Sequence, residues 1–364
     1  WLINPNGILF GSNTVLDVDG SFVASTANAV LIDGTIPFAA SSVSENPGIL
    51  QIDDSALFFN ELSNARIENR SQVNLGASNI SLHGLQDFEG LAVPNGESLI
   101  FASPEILING GGLNALNGEI QLFSQNRVDF INSATAQADH ILVATNQLSV
   151  EDGSQILAQF LDPRILSNVV IKDSEDSQSF EVSNIQDLQS LPTLEGGNIS
   201  IFAREFVEVT GTDDSGQTAS RIGTGAIGLL SNGGNVSIQT DRLGVREGGQ
   251  ITSNYISLSE RNEGGGEIDI DAESIEIVGR NSAEKRRQSG FFVGNGYRFR
   301  LSTNGAVDLD SDSVNILDGA QVSLRLRPIS ISDDFQPFPG NITVRSNEAT
   351  VSGTSSNGVA SALS

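Results

Sequence analysis

The sequence predicts an all-β chain that winds into a parallel β-helix, also called a β-solenoid. Two observations lead to this fold class: a short template of alternating apolar residues recurs along the chain, and Gly-Asn pairs recur just before it. No segment keeps an apolar residue at i, i+3, i+4 and i+7 for more than two helical turns, so a helical fold is not expected. A β-sandwich or propeller would also give many short strands, but the recurring corner pairs favour the solenoid.

The template reads apolar–x–apolar–x–small–x–x–apolar–x–apolar. It occurs without a gap at 236–245, 268–277, 307–316 and 342–351. Alternation with period two marks a strand that buries one face. The phase flips inside the template, since Ile268 and Ile270 occupy even positions whereas Ile275 is odd. A corner between the two apolar pairs keeps both sets inside, so each template is predicted to be two short strands around a tight bend.

The spacing of the template predicts how the coils are built. Copies beginning at 199, 236, 268, 307 and 342 are 32–39 residues apart. One coil of a β-helix usually takes roughly 20 residues, so this spacing predicts about two coils per repeat. The Gly-Asn pairs at 197–198, 234–235 and 340–341 predict asparagine ladders that hydrogen-bond along the rod.

Composition excludes several classes of function. The 364 residues contain no cysteine, so a disulfide scaffold and thiolate metal sites are excluded, and no cofactor is expected. A formal charge of −26 argues against nucleic acid as a partner, because phosphates are bound by clustered cations. No apolar run approaches the ~18 residues of a membrane-spanning helix, so membrane insertion of this fragment is not expected.

One segment near the start carries a family resemblance. Asn4, Pro5, Asn6, Gly7 and Ile8 form an NPNGI run, followed by Phe10-Gly11 and by the segment 16–28. Proline presets φ and Asn-Gly tolerates positive φ, so this run is predicted to be a tight turn. Together these residues resemble the haemagglutination activity domain of filamentous haemagglutinin-type exoproteins. The segments 91–97 and 110–120 are similar to a recurrent later element of the same family.

The resemblance implies both a fold and a route of export. It implies a right-handed parallel β-helix and two-partner secretion, in which an outer-membrane β-barrel transporter recognises the NPNG-type motif. We expect residues 1–75 to be the C-terminal remnant of the secretion domain and 76–364 to be the repeat region, continuous with it. The family's more N-terminal NPNL-type motif is missing, so we expect an N-terminally truncated fragment.

The function implied by the resemblance is that of a non-enzymatic, adhesin-like scaffold. It would lie outside the cell or on the surface of a Gram-negative-type bacterium, exported across the outer membrane. Its later partner would be an unidentified cell-surface, glycan or matrix ligand. Two alternatives stay open: a β-helical polysaccharide lyase or hydrolase, and the stalk of a toxin-delivery protein.

An enzyme would need carboxylates that converge, and the sequence offers weak candidates. Adjacent aspartates occur at 53–54, 213–214 and 333–334, in polar stretches where solvated turns are expected. His83 and His140 have no repeated partner, so structural roles are favoured. Asp308, Asp310 and Asp312 lack the glycine and glutamate of a calcium loop and are predicted to form a solvated face. Neither a catalytic nor a metal site is predicted.

A basic and aromatic segment interrupts the acidic trend. Cationic and aromatic side chains together can hold glycans or acidic surfaces, so this segment is the candidate partner-contact loop. Its residues are Arg280, Lys285, Arg286, Arg287, Phe291, Phe292, Tyr297, Arg298, Phe299 and Arg300. The alternative is a loop that leaves the rod and tucks its aromatic rings back.

Overall fold

The chain is all-β, as predicted, in the part that the structure describes. This computed structural model describes residues 1–32, 35–39, 48–52, 55–59, 65–81, 84–161, 169–174, 177–182, 196–228, 233–257, 266–279, 288–296, 305–327, 340–354 and 360–363. No helix that could span a membrane occurs in these ranges. The strands are β1 (Leu2–Ile3), β2 (Ile8–Phe10), β3 (Phe22–Ser25), β4 (Ala29–Ile32), β5 (Thr35–Ala39), β6 (Gly48–Ile52), β7 (Ser55–Phe59), β8 (Arg66–Asn69), β9 (Asn74–Ser81), β10 (Gly84–Glu89), β11 (Leu91–Ala92), β12 (Leu99–Asn109), β13 (Gly112–Ile131), β14 (Thr135–Val150), β15 (Gln155–Leu161), β16 (Val169–Ser174), β17 (Ser177–Val182), β18 (Asn198–Thr210), β19 (Arg221–Gly228), β20 (Val236–Arg246), β21 (Gln250–Ser257), β22 (Glu267–Val278), β23 (Gly290–Gly296), β24 (Ala306–Leu317), β25 (Gln321–Arg327), β26 (Asn341–Ser352) and β27 (Ala362–Leu363).

Nineteen of these strands form one parallel sheet that winds around a single core, which confirms the parallel β-helix. Each coil contributes three short faces. Face A is the first half of each long strand, with in-register core residues Leu99, Ile120, Ile141, Ile199, Val236, Ile268, Val307 and Ile342. Face B is the second half, with Ile106, Val128, Leu148, Val207, Leu243, Ile275, Val314 and Ala349. Face C carries Leu113, Ala136, Ile156, Ile222, Ile251, Phe291 and Val322. The right-handed winding stays a prediction.

Each repeat is one coil, so the prediction of about two coils per repeat is wrong. Val236 pairs with Ile199 on one side and with Ile268 on the other, so successive templates lie on neighbouring rungs. In earlier coils the same step, from Leu99 to Ile120, takes only 21 residues. The additional residues of the later coils fall between the face C strand and the next long strand, as between β21 and β22, and add no rung.

The bend between faces A and B has the predicted form. The small template residues Thr240, Ala272 and Ser311 are buried there, and the apolar pairs on either side point into the same core. The Ser311 hydroxyl donates to the Ser313 carbonyl oxygen at 2.9 Å. A small side chain therefore both fits the corner and satisfies a carbonyl that the bend removes from the ladder.

Three antiparallel additions depart from the template. The strands β4 to β7 form a four-stranded sheet, and β9–β10 and β16–β17 are hairpins. The four-stranded sheet is inserted between β3, on face A, and β8, on face B, so it leaves the rod at the A/B corner. Val30, Leu57 and Phe59 of this sheet pack in a second apolar cluster with Ala102, which lies on β12.

Asparagine ladders are present at the corner between faces C and A, in a side chain-to-backbone form. The Asn198 Oδ1 accepts from the Asn235 N–H at 2.9 Å, and the Asn235 Oδ1 accepts from the Glu267 N–H at 3.0 Å. Each side chain thus satisfies a backbone donor of the next coil, which holds neighbouring coils in register.

A second ladder, made of serines, lies at the turn between faces B and C. The Ser220 Oγ accepts from the Gly153 N–H at 2.9 Å, and the Ser289 Oγ accepts from the Gly248 N–H at 2.9 Å. The Ser361 Oγ likewise accepts from the Gly319 N–H at 2.9 Å. Each serine therefore caps the turn of the preceding coil.

Ser220→Ala should lower the free energy of unfolding by about 1–3 kcal/mol, because it leaves the buried Gly153 N–H without an acceptor. Urea denaturation followed by circular dichroism measures this loss. Ser237→Ala is the matched control, since Ser237 is an exposed residue of β20. Equal stability of the two variants would show that the serine ladder does not hold the turn.

Candidate functional site

The NPNG segment forms a tight turn, as predicted. The Gly7 N–H donates to the Asn4 carbonyl oxygen at 3.1 Å, and the Asn6 N–H donates to the Asn4 Oδ1 at 3.1 Å. Gly7 has φ of +113°, a value that residues with a side chain rarely adopt. An added Cβ there would also lie 3.2 Å from the Arg66 carbonyl oxygen. The backbone conformation therefore favours glycine at this position, and an added side chain would also be tightly packed.

The turn is anchored to the rod and displays its polar side chains. It joins β1, which continues face A, to β2, which continues face B, so it lies at the A/B corner. The Asn4 N–H donates to the Ser25 carbonyl oxygen at 3.0 Å, while Ile8 is buried in the core. The residues Asn4 and Asn6 themselves are exposed. A partner can therefore reach the two asparagines without disturbing the core.

The surface around the turn is partly apolar and carries a shielded carboxylate. Leu2, which precedes the turn, is 40% exposed, and Leu9, which follows it, is 62% exposed. Beside Leu9, its register partner, the almost fully buried Glu68 carboxylate is paired with Arg66 at 2.6 Å and with Arg70. Exposed apolar residues grouped near one polar turn are typical of a surface that contacts another protein.

Farther along the same corner lies an open groove that no sequence motif indicated. We call it the corner groove. It has a volume of about 780 Å³ and runs across the coils of β12 to β22, beginning beside Phe59 of the four-stranded sheet. A smaller depression of about 420 Å³ continues it toward β26. Two rows of outward side chains flank it, one from the end of face A and one from the bend.

The far end of the corner groove is acidic. Asp271 and Asp310 are register partners on neighbouring coils, and the next partner is Arg345. The Arg345 Nε donates to the Asp310 Oδ2 at 3.1 Å, which raises the pKa of Arg345. Both aspartates are exposed to water. Within the described ranges, no three acidic or histidine side chains are placed to hold a metal ion.

The neighbouring acids repel one another across the coils. Burial, followed by interaction with Asp308, raises the pKa values of Glu267 and Asp269. Asp308 and Asp310 point outward from β24, as the sequence predicted for a solvated face. The charge on this face therefore opposes folding to some extent at neutral pH.

Lowering the pH from about 7 to about 5 should raise the melting temperature, because several folded-state carboxyls bind protons more tightly than unfolded ones. Burial is the main cause of the raised pKa in Asp129, Asp139, Glu151, Glu267 and Asp269. The stability that these groups contribute is complete below their unfolded pKa values and is lost as pH rises through the folded ones. Thermal unfolding by circular dichroism measures the change. The melting temperature should depend less on pH in an Asp269→Asn variant. A melting temperature that falls with acidification would contradict the raised pKa values of these carboxyls.

Of the three adjacent aspartate pairs in the sequence, the structure describes the one at 213–214. Burial acts to raise the pKa of Asp213, but hydrogen bonds from the Thr218 backbone and from Ser215 outweigh it and leave the pKa lowered. Asp213 accepts from the Thr218 N–H at 3.0 Å, so it organises its own loop. The pairs at 53–54 and 333–334 lie outside the described residues.

His140 is the histidine that lies in the described part of the chain, and its contacts are structural. The His140 Nδ1 accepts from the Asn198 N–H at 3.3 Å, which extends the asparagine ladder by one coil. Its Nε2 lies 3.7 Å from the Asp139 Oδ2. His140 therefore has the structural role favoured from the sequence, and His83 lies outside the described residues.

Two residues of the candidate partner-contact loop belong to the core. Phe291 is 0% exposed and Phe292 is 6% exposed, because both lie on the face C strand β23. Their assignment to a contact surface is corrected accordingly. Arg280, Lys285, Arg286, Arg287, Tyr297, Arg298, Phe299 and Arg300 lie outside the described residues, and their role stays a prediction.

An ion-pair network that joins three coils was also not predicted from the sequence. Glu208, Gly244 and Glu276 are register partners on three successive coils. The Arg246 guanidinium passes over Gly244, donating to Glu208 at 3.0 Å and to Glu276 at 3.0 Å. The glycine leaves room for a cation that joins carboxylates two rungs apart. Such a contact can be recognised only after the coil register is known.

The geometry defines the class of protein. It is a continuous parallel β-helix with an exposed, anchored turn at one end. The family model of the TPS secretion domain matches residues 1–159. This match, which covers less than half of the chain, supports a two-partner secretion exoprotein such as the filamentous haemagglutinin-type proteins. A secretion domain of this class interacts with a partner transporter and implies export across the outer membrane. Among curated proteins, none matches the chain.

The matched region extends past the boundary expected from the sequence. It ends at residue 159, within β15, whereas the change of role was expected at residue 75. The core runs without a break through both positions, so packing alone marks no boundary at either of them.

Proposed function

We propose that this exoprotein is an adhesin-like, non-enzymatic scaffold that acts at or beyond the bacterial cell surface. The observation that carries this proposal is one uninterrupted core with the exposed NPNG turn at one end. In-register ladders tie each coil to the next, which favours a stiff rod that can present binding surfaces away from the cell.

The transporter-recognition site of the proposal is the run from Asn4 to Ile8. Its support is the contrast between exposed Asn4 and Asn6 and buried Ile8. The backbone bonds to Asn4 preorganise the turn, so little conformational entropy is lost when a partner binds.

Asn4→Ala should lower export more than Asn6→Ala, because the Asn4 side chain also accepts the hydrogen bond from the Asn6 N–H. The amount of exoprotein in the medium, relative to the amount retained in cells that express the partner transporter, measures export. We expect a reduction of about tenfold for Asn4→Ala, the effect of losing about 1.4 kcal/mol of recognition.

The control for this experiment is Asn126→Ala, which changes another exposed asparagine at the same A/B corner. Circular dichroism of the purified variants checks that the rod is intact. Normal export of both turn variants would count against the recognition site, although the exoprotein class would stand.

One observation favours the alternative of a polysaccharide-degrading enzyme, namely Asp271 and Asp310 beside Arg345 in the continuation of the corner groove. Catalysis would need one carboxyl that keeps its proton at neutral pH, usually through burial. Asp310 is 60% exposed and is paired with the arginine, so it lacks the burial that such a carboxyl needs. The release of reducing ends or unsaturated sugars from a polysaccharide by the purified chain would overturn the non-enzymatic proposal. The other alternative, the stalk of a toxin-delivery protein, would use the same non-enzymatic scaffold.

A further inference from the structure

We propose that the corner groove binds a neutral, linear β-linked oligosaccharide along the axis of the rod. This inference names a ligand class for the scaffold proposed above and rests on that function.

The groove presents one side chain per coil at a constant register position. The outward positions on the face A side are Phe123, Ala144, Phe202, Gln239, Asp271, Asp310 and Arg345. Neighbouring positions are about 4.8 Å apart, as strands in a sheet are. A row of contacts repeated at this interval suits a linear polymer lying along the axis.

Aromatic rings stand where alternate sugar units would lie. Phe202 is 48% exposed, and half-buried Phe123 lies two rungs away with Ala144 between them. Two rungs span about 9.6 Å, close to the length of a disaccharide unit in a β-linked chain. The apolar face of a pyranose ring can pack on each phenyl ring, and the methyl group of alanine leaves space for the intervening sugar.

Polar side chains on both rows supply hydrogen bonds and select against anionic ligands. Asn146 and Gln239 offer both donors and acceptors to sugar hydroxyls. Asp241, Asp271 and Glu273 accept from hydroxyls but repel sulfates and uronates. Arg204 is the one cation in the described lining, so these three acids leave the groove with a net negative charge, which suits a neutral glycan better than an anionic one.

An extended peptide fits less well. On both sides of the groove the backbone groups of β14, β18, β20 and β22 are already paired in parallel ladders. A peptide could not add to the sheet as a new strand there, so its own backbone groups would depend on scattered side chains. An oligosaccharide has no such requirement.

The test uses the purified chain and isothermal titration with cello-, xylo- and chito-oligosaccharides. Oligogalacturonate and heparin fragments serve as anionic probes, and oligolysine serves as the peptide probe. We expect binding of at least one neutral oligosaccharide, weakened about tenfold or more by Phe202→Ala through loss of the stacking ring. Val351→Ala, which removes another exposed apolar side chain outside the groove, should leave the affinity unchanged.

A second variant tests the groove if Phe202→Ala does not fold. Trp1 is the only tryptophan of the chain, so Phe202→Trp adds a fluorescent reporter in the groove while it keeps an aromatic surface. Its emission should change on addition of the same neutral oligosaccharide. Binding should persist in this variant.

Three outcomes would overturn the inference: no binding of any neutral oligosaccharide, equal affinity in Phe202→Ala and the unchanged chain, or binding of oligolysine or anionic fragments alone. Because purified protein is used, defective export does not affect the measurement. The scaffold function is tested separately, by attachment of cells that display the exoprotein, so failure of one proposal is distinguishable from failure of the other.

Discussion

Gly234→Ala is expected to lower the free energy of unfolding by roughly 3 kcal/mol or more, the upper part of the range for overpacking. A Cβ at residue 234 would lie 1.8 Å from the Gly197 carbonyl oxygen of the preceding coil. Both groups belong to the backbone of paired coils, so neither can move aside as a flexible side chain could. The coils would have to separate at this corner.

The same close approach recurs along the corner between faces C and A. A Cβ on Gly197 would lie 1.9 Å from the Asp139 carbonyl oxygen, and one on Gly266 would lie 2.2 Å from the Gly234 carbonyl oxygen. One residue separates each of these glycines from the template, and at 197–198 and 234–235 that residue is asparagine, so the Gly-Asn pairs have two separate roles. The glycine permits contact between coils, and the asparagine hydrogen-bonds across it where the ladder is formed.

Urea denaturation of Gly234→Ala and of Gly11→Ala measures the effect. Gly11 is the matched control, because the nearest atom to an added Cβ there is the Thr14 Oγ1 at 4.0 Å. The control should unfold like the unchanged chain. A small loss for Gly234→Ala, comparable with the control, would mean that the coils can spread at this corner without disrupting their ladders.

The local structure of the coil could be predicted from sequence because it is encoded within ten consecutive residues. The change of phase between Ile270 and Ile275 requires a corner, and the small residue Ala272 fits it. The number of coils per repeat could not be obtained in this way. Residues between a face C strand and the next long strand lengthen the repeat without adding a rung, and length alone does not distinguish the two cases.

The two candidate sites differ in the same way, since one is encoded by consecutive residues and the other is not. The NPNG turn is local, and its residue types predict its backbone conformation. The corner groove is built from Phe123, Phe202 and Asp271, which lie far apart in sequence and become neighbours only through the register of the coils. A register that differed by one rung would separate these side chains, so the groove could be identified only from the structure.

Ile270→Asp is expected to lower the free energy of unfolding by about 3–5 kcal/mol, the loss that accompanies an unpaired buried charge. Ile270 is 0% exposed and lies between its register partners Ile238 and Leu309 in the core. The described residues that surround it in this core are apolar. The carboxylate must therefore take up a proton or drive its coil out of the stack.

The consequences should stay near the substituted coil, because each coil of a solenoid contacts only its neighbours. Hydrogen exchange followed by mass spectrometry should show lost protection in β20, β22 and β24, while β12 to β14, inside the matched secretion domain, keep theirs. Asp271→Asn is the matched control, since it alters the adjacent, exposed residue of the same strand. Loss of protection along the whole rod would instead show one cooperative unit, in which the secretion domain owes its stability to the distal coils. Confinement to the neighbouring coils would show that the secretion domain can keep its fold while the distal coils vary.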